Sequence, residues 1–131
     1  MSPPAWLGTG ALLGAAAVAI GAFGAHGLKS RVSPEHLIVF ETAARYHLIH
    51  ALALVAVAWA SDRLPGSAAA QVSGWLFLCG IGLFSGSLYL LVLSGARWLG
   101  AVTPLGGVAL IGGWIALAIA AFTARPTAPG G

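Results

Sequence analysis

Charge is what this chain lacks. Only 7% of its 131 residues are Asp, Glu, Lys or Arg, six basic and three acidic, against about 25% in soluble domains. So few charges cannot cover a surface against water, and 59% of the residues are hydrophobic; a soluble globular domain is excluded. Disorder is excluded by the same counts, because disordered segments are poor in apolar residues and rich in charge. Cysteine is nearly absent. Cys79 alone can build neither an intrachain disulfide framework nor a cysteine-rich metal site. The net charge of +3 is scattered over single side chains, with no basic stripe for nucleic acid, so anionic lipid headgroups are the expected charged partners. An integral membrane protein remains.

Long apolar runs are what the chain has. A bilayer core about 30 Å thick takes about 20 apolar residues as helix, and cutting the chain at its charges predicts spans at about 6–25, 36–60, 70–93 and 104–124. The first, third and fourth carry no charge. The second contains Glu41, Arg45, His47 and His50. Four helices with short connections predict an all-α, antiparallel four-helix bundle in the membrane, one domain over 1–125 with a flexible tail at 126–131. The first run resembles a secretory signal in its small residues, but no Lys or Arg precedes it and it is long for a signal core, so it is kept as a span.

Local chemistry marks the ends. Ser33-Pro34-Glu35 reads as an N-cap, a proline at the first helical position and an acid in the first turn. Thr103-Pro104 predicts the same device at the start of span four. Ser61 to Gly66 breaks spans two and three, and Ser94-Gly95 closes span three. Trp6, Trp59 and Trp98 fall near span ends and read as interfacial anchors, with Trp75 and Trp114 deeper. Cys79 reads as a small buried apolar residue. Orientation stays open: Arg63 and Arg125 share one side, Lys29, Arg31 and Arg97 the other, too even a split for the positive-inside rule.

Glycines form stripes. Gly10, Gly14, Ala17, Gly21 and Gly24 share one face of span one, Gly82 and Gly86 lie in span three, and Gly106 and Gly113 in span four. Such faces let membrane helices approach closely, either within the bundle or between copies. No dinucleotide or Walker glycine pattern is present.

Span two sorts its polar residues. His36, Phe40, Ala43, His47, His50 and Leu54 share one side with Tyr46 at its border; Glu41 and Arg45 lie nearly opposite, spaced i,i+4 as for a helix ion pair. That pair reads either as interfacial or as lining a cavity. His47 and His50 are one turn apart, and His26 ends span one at a depth that could meet them. Imidazoles here are either structural, bonded to Tyr46, Ser85, Ser87 or backbone, or they bind a ligand or relay protons. Carboxylates are few and thiolate pairs absent, so no metal or cofactor is assigned. Neither a nucleophile motif nor an acid/base pair is recognisable, so no enzyme is predicted.

Several ordered motifs carry a resemblance: Gly21-Ala22-Phe23-Gly24-Ala25-His26-Gly27-Leu28, then Glu41-Thr42-Ala43-Ala44-Arg45-Tyr46-His47-Leu48-Ile49-His50, then Phe84-Ser85-Gly86-Ser87-Leu88-Tyr89, then Thr103-Pro104-Leu105-Gly106-Gly107 with Gly112-Gly113-Trp114. The chain closely resembles the DUF423 family of small multi-spanning membrane proteins (YgdD-like and transmembrane protein 256-like), from about Gly10 to Ala121. The resemblance implies four spans and no known reaction. It points to Gly21, Phe23, Gly24, His26, Tyr46, His50, Ser85, Gly86, Tyr89, Pro104 and Gly107, and to His26, Tyr46 and His50 as a shared polar site. The expected function is that of a non-catalytic accessory, assembly or scaffold component, a multi-pass protein of the plasma (inner) membrane if the source is bacterial, with a membrane-protein partner or a second copy. The alternative is binding or transport of a ligand, metal, haem or proton at a polar site drawn from His26, Tyr46, His50, Glu41, Arg45 and His47.

Overall fold

In the computed structural model, which describes residues 1–125, four helices are long and apolar enough to cross a membrane: Pro3–Leu28, Pro34–Arg63, Ala68–Ser94 and Leu99–Thr123. The expected all-helical, four-span organisation holds. Each of the first three starts at a serine N-cap. Ser2, Ser33 and Ser67 accept the N–H groups of Ala5, His36 and Ala70, which satisfies one otherwise orphaned donor per helix. Pro3 and Pro34 sit in the first turns, where their missing N–H costs nothing. Gly95 ends the third helix in the left-handed conformation, φ 72°, which a residue without Cβ adopts freely. The tail expected to be flexible, 126–131, lies outside the described residues.

The fourth helix starts differently from expectation. Thr103-Pro104 does not open it; the helix begins at Leu99, and Pro104 is inside it. Three consecutive i,i+3 bonds, from the N–H groups of Leu99, Gly100 and Ala101 to Ala96, Arg97 and Trp98, wind the chain into the helix before the proline is reached. Pro104 therefore denies a bond only to the carbonyl of Gly100, an exposed residue at the helix entrance.

The second helix is central. The first helix packs along it, the third and fourth pack on each other, and the second touches all three. Trp6, Ala53, Leu54, Val57, Ala58, Phe77, Ile81 and Leu110 form the main core, while Leu28, Phe40 and Val92 form a smaller one at the opposite end. In lipid this packing gains dispersion contacts rather than water release. Trp6 is corrected by it. Instead of anchoring at the interface it is fully buried, its indole N–H donating to Gln71 Oε1 at 3.1 Å. Trp59 and Trp98 are largely exposed, as anchors are. Cys79 is also corrected: it faces outward, not into the core.

The glycine stripes divide. A Cβ on Gly10 would meet the Ala51 carbonyl at 2.9 Å, on Gly24 the Phe40 ring, on Gly113 the Phe77 ring, and on Gly106 the backbone of Leu83 and Phe84. These are internal packing positions. Gly14 is looser, 4.0 Å from Ala51 Cβ, and Gly21, Gly82 and Gly86 have nothing within 4 Å, so their expected role in packing the bundle is not met. Gly82 and Gly86 instead bound a π-helical turn, and a second such turn, Gly24–Leu28, ends the first helix. Gly74 and Gly80, outside the expected stripes, are sites of close approach, to Trp6 and Leu110.

Candidate functional site

His47 and His50 are both buried on the inner side of the second helix. Their one-turn spacing sends them to different neighbours. His50 Nδ1–H donates to the Tyr46 carbonyl at 2.7 Å, one turn back in its own helix. That proton position leaves Nε2 a lone pair, and Trp114 of the fourth helix donates its indole N–H to it at 3.1 Å. Both nitrogens of a neutral imidazole are thereby satisfied, and the tautomer follows from the carbonyl, which can only accept.

His47 is less complete. Its Nδ1 lies 3.0 Å from the Tyr89 hydroxyl of the third helix. Its Nε2 is buried without a hydrogen-bond partner among the described residues. When the Tyr89 hydroxyl donates, Nε2 carries the proton and is an unused donor in the hydrocarbon interior, an arrangement that costs free energy.

An aromatic frame surrounds both rings. Tyr46 packs on Phe84 with centroids 4.6 Å apart, Phe77 meets Trp114 edge-on at 5.0 Å, and Phe40 leans on Tyr89 at 5.4 Å. Serines clasp the same layers: Ser85, inside the π turn, donates to the Ala43 carbonyl at 2.8 Å, Ser73 to the Gly113 carbonyl at 2.8 Å, and Ser87 shares a 2.7 Å bond with Thr103. These side-chain bonds link the second, third and fourth helices with few unsatisfied groups, which suits a bilayer interior.

The expected convergence of His26, Tyr46 and His50 is only partly present. Tyr46 and His50 stack with centroids 5.9 Å apart. His26 is exposed on the π turn that ends the first helix, and no hydrogen bond or ring contact joins it to them. Glu41 and Arg45 are both exposed and no ion pair joins them; the reading in which they line a cavity with the histidines is not met. Among the described residues no three His, Cys, Asp or Glu side chains are grouped to hold a metal ion. Ser85 and Ser87, expected as partners of the histidines, bond elsewhere. Tyr89 and Trp114 take that place. Both stand in the motifs quoted above, and the need of a buried phenol or indole for a polar partner is the signal that marks them.

Positions 20–107 match the family model described as "Protein of unknown function (DUF423)". The UPF0382 membrane protein YwdK of Bacillus subtilis (strain 168) is 48% identical over 112 residues, covering 86% of this chain and 91% of the relative. The UPF0382 membrane protein SAB0533 of Staphylococcus aureus (strain bovine RF122 / ET3-1) is 48% identical over 115 residues, with 86% and 91% covered. SSP2132 of Staphylococcus saprophyticus is 46% identical over 115 residues, with 86% and 92% covered. No solved structure matches. With four helices long enough to span and relatives named as membrane proteins along most of its length, this multi-pass membrane chain belongs to the DUF423 family.

Proposed function

We propose that the protein is a non-catalytic accessory or assembly component of the membrane, which engages another membrane protein or a second copy of itself along the outward face of its second helix. The observation that carries this reading is the placement of Glu41 and Arg45, exposed on the helix that is otherwise the most enclosed of the four. Arg45 lies about 16 Å along the axis from the start of a 30-residue helix that, at about 45 Å, outreaches a hydrocarbon core of about 30 Å, so it falls in the outer part of that core. Ionisable groups at such depth are costly unless paired or turned to a polar interior. Among the described residues they are neither. A neighbouring helix with complementary charge supplies the pairing.

Cysteine crosslinking in native membranes tests the reading, with the probe at Leu52, exposed on the same helix. A crosslinked adduct is expected, and Glu41→Gln with Arg45→Gln should abolish it. A Leu52→Cys, Cys79→Ser protein that gives no adduct, with a wild type that leaves native-lipid discs as a free monomer, rejects the reading.

A second reading, binding or relay at the histidines, is supported by the unused His47 Nε2. A bound metal, chromophore or small ligand that copurifies with the wild type and is lost in His47→Phe supports it; equal behaviour of the two proteins rejects it.

A further inference from the structure

A cleft of about 570 Å³ opens at the membrane surface where the second helix ends, the third begins and the fourth ends. Its walls are the connection Arg63 to Ser67, the first residues of the third helix, and Ala120, Thr123, Ala124 and Arg125. Arg63 and Arg125 are among its lining residues, and among the described residues no Asp or Glu is. In a chain with six basic residues, two of them line this one space, from segments about sixty positions apart. The Arg63 guanidinium lies over the Trp59 ring of its own helix, 5.7 Å from the centroid, and reaches a phosphate in the cleft by leaving that ring.

We infer that this cleft is a binding site for a phosphate group, the phosphodiester of an anionic phospholipid such as phosphatidylglycerol. Guanidinium matches phosphate through paired N–H donors. The N–H groups of Ala68 and Ala69 open the third helix with no preceding carbonyl to bond, and add donors of the same sense. The Thr123 hydroxyl on the opposite wall is already donated to the Ile119 carbonyl at 2.7 Å and adds no donor. The volume admits a headgroup. Free phosphate or a soluble phosphate ester shares this chemistry and differs only in lacking an acyl anchor.

The test is native mass spectrometry of the whole protein released from mixed micelles of phosphatidylglycerol and phosphatidylcholine, with inorganic phosphate in a separate arm read by thermal unfolding. The wild type should retain one phosphatidylglycerol in preference to phosphatidylcholine. Arg63→Gln with Arg125→Gln should lose that preference by about tenfold or more, since each basic side chain near a membrane surface contributes appreciably to anionic lipid binding. Arg97→Gln, on the opposite face of the membrane, should retain it, and Arg63→Lys with Arg125→Lys should retain part. Protection by inorganic phosphate that depends on both arginines, without lipid preference, supports the phosphate site and assigns it to a soluble ligand. If the double Gln variant melts like the wild type and neither lipid retention nor phosphate protection distinguishes the two, the site is rejected.

Discussion

Trp114 donates its indole N–H to His50 Nε2 across 3.1 Å, so a residue of the fourth helix fixes one on the second that is 64 positions earlier. Removing either partner alone strands the other inside the bundle. Trp114→Phe and His50→Phe are each expected to lower stability by about 1–3 kcal/mol. Their coupling in a double-mutant cycle should be smaller, about 0.6–1.7 kcal/mol, because a membrane-embedded reference state finds other partners. Reversible unfolding in mixed micelles measures both, and additivity of the two single losses would show that the bond contributes nothing.

Tyr89→Phe should cost more than the loss of a hydroxyl suggests. His47 already has one nitrogen without a bond, and this change deprives the other. We expect a loss of about 1–3 kcal/mol, largely recovered when His47→Phe is added, since replacing both partners by apolar groups of similar shape is close to neutral. A double variant as unstable as Tyr89→Phe alone contradicts this.

Gly106 and Gly21 predict opposite outcomes for the same substitution. Alanine at Gly106 drives its Cβ into the backbone of Leu83 and Phe84, which has no flexible end to yield; a loss of about 1–3 kcal/mol is expected from overpacking. Alanine at Gly21 meets nothing within 4 Å and should be neutral or gain about 0.5–1 kcal/mol from helix propensity. Melting temperatures of the two variants decide between them.

Cys79 faces outward partway along the third helix. In intact membranes it should resist charged maleimides, which stay in water, and react after denaturation. Rapid labelling by a charged reagent in sealed vesicles would place it beside water instead.

The parts of this fold legible in the sequence are the ones set by neighbours along the chain. Ser33-Pro34 and Ser94-Gly95 act within one helical turn, so their caps were readable from residue type alone. Pro104 misleads because proline suits both a helix start and an early interior position; the upstream turn at Ala96 to Ala101 decides which, and it has no proline or serine cap to announce it. Tyr89 and Trp114 carry a signal in residue type, but their partners are illegible for another reason. They meet His47 and His50 across 42 and 64 positions, and helix rotation, not local pattern, sets those contacts. The small residues show the same limit: Gly10 and Gly21 are alike on a helical wheel, yet only Gly10 has a neighbouring backbone against it.

The central position of the second helix also bears on how the protein is made. It is the least apolar of the four spans and the one with most of its surface covered by the others, yet two of the three helices that cover it follow it in the chain. Leaving the ribosome, it meets the bilayer beside the first helix alone, with His50 lacking Trp114 and His47 lacking Tyr89. Its lateral release into lipid is therefore disfavoured until the third and fourth helices emerge. The most enclosed helix of the four therefore reaches its enclosed state only once the last two helices are in place.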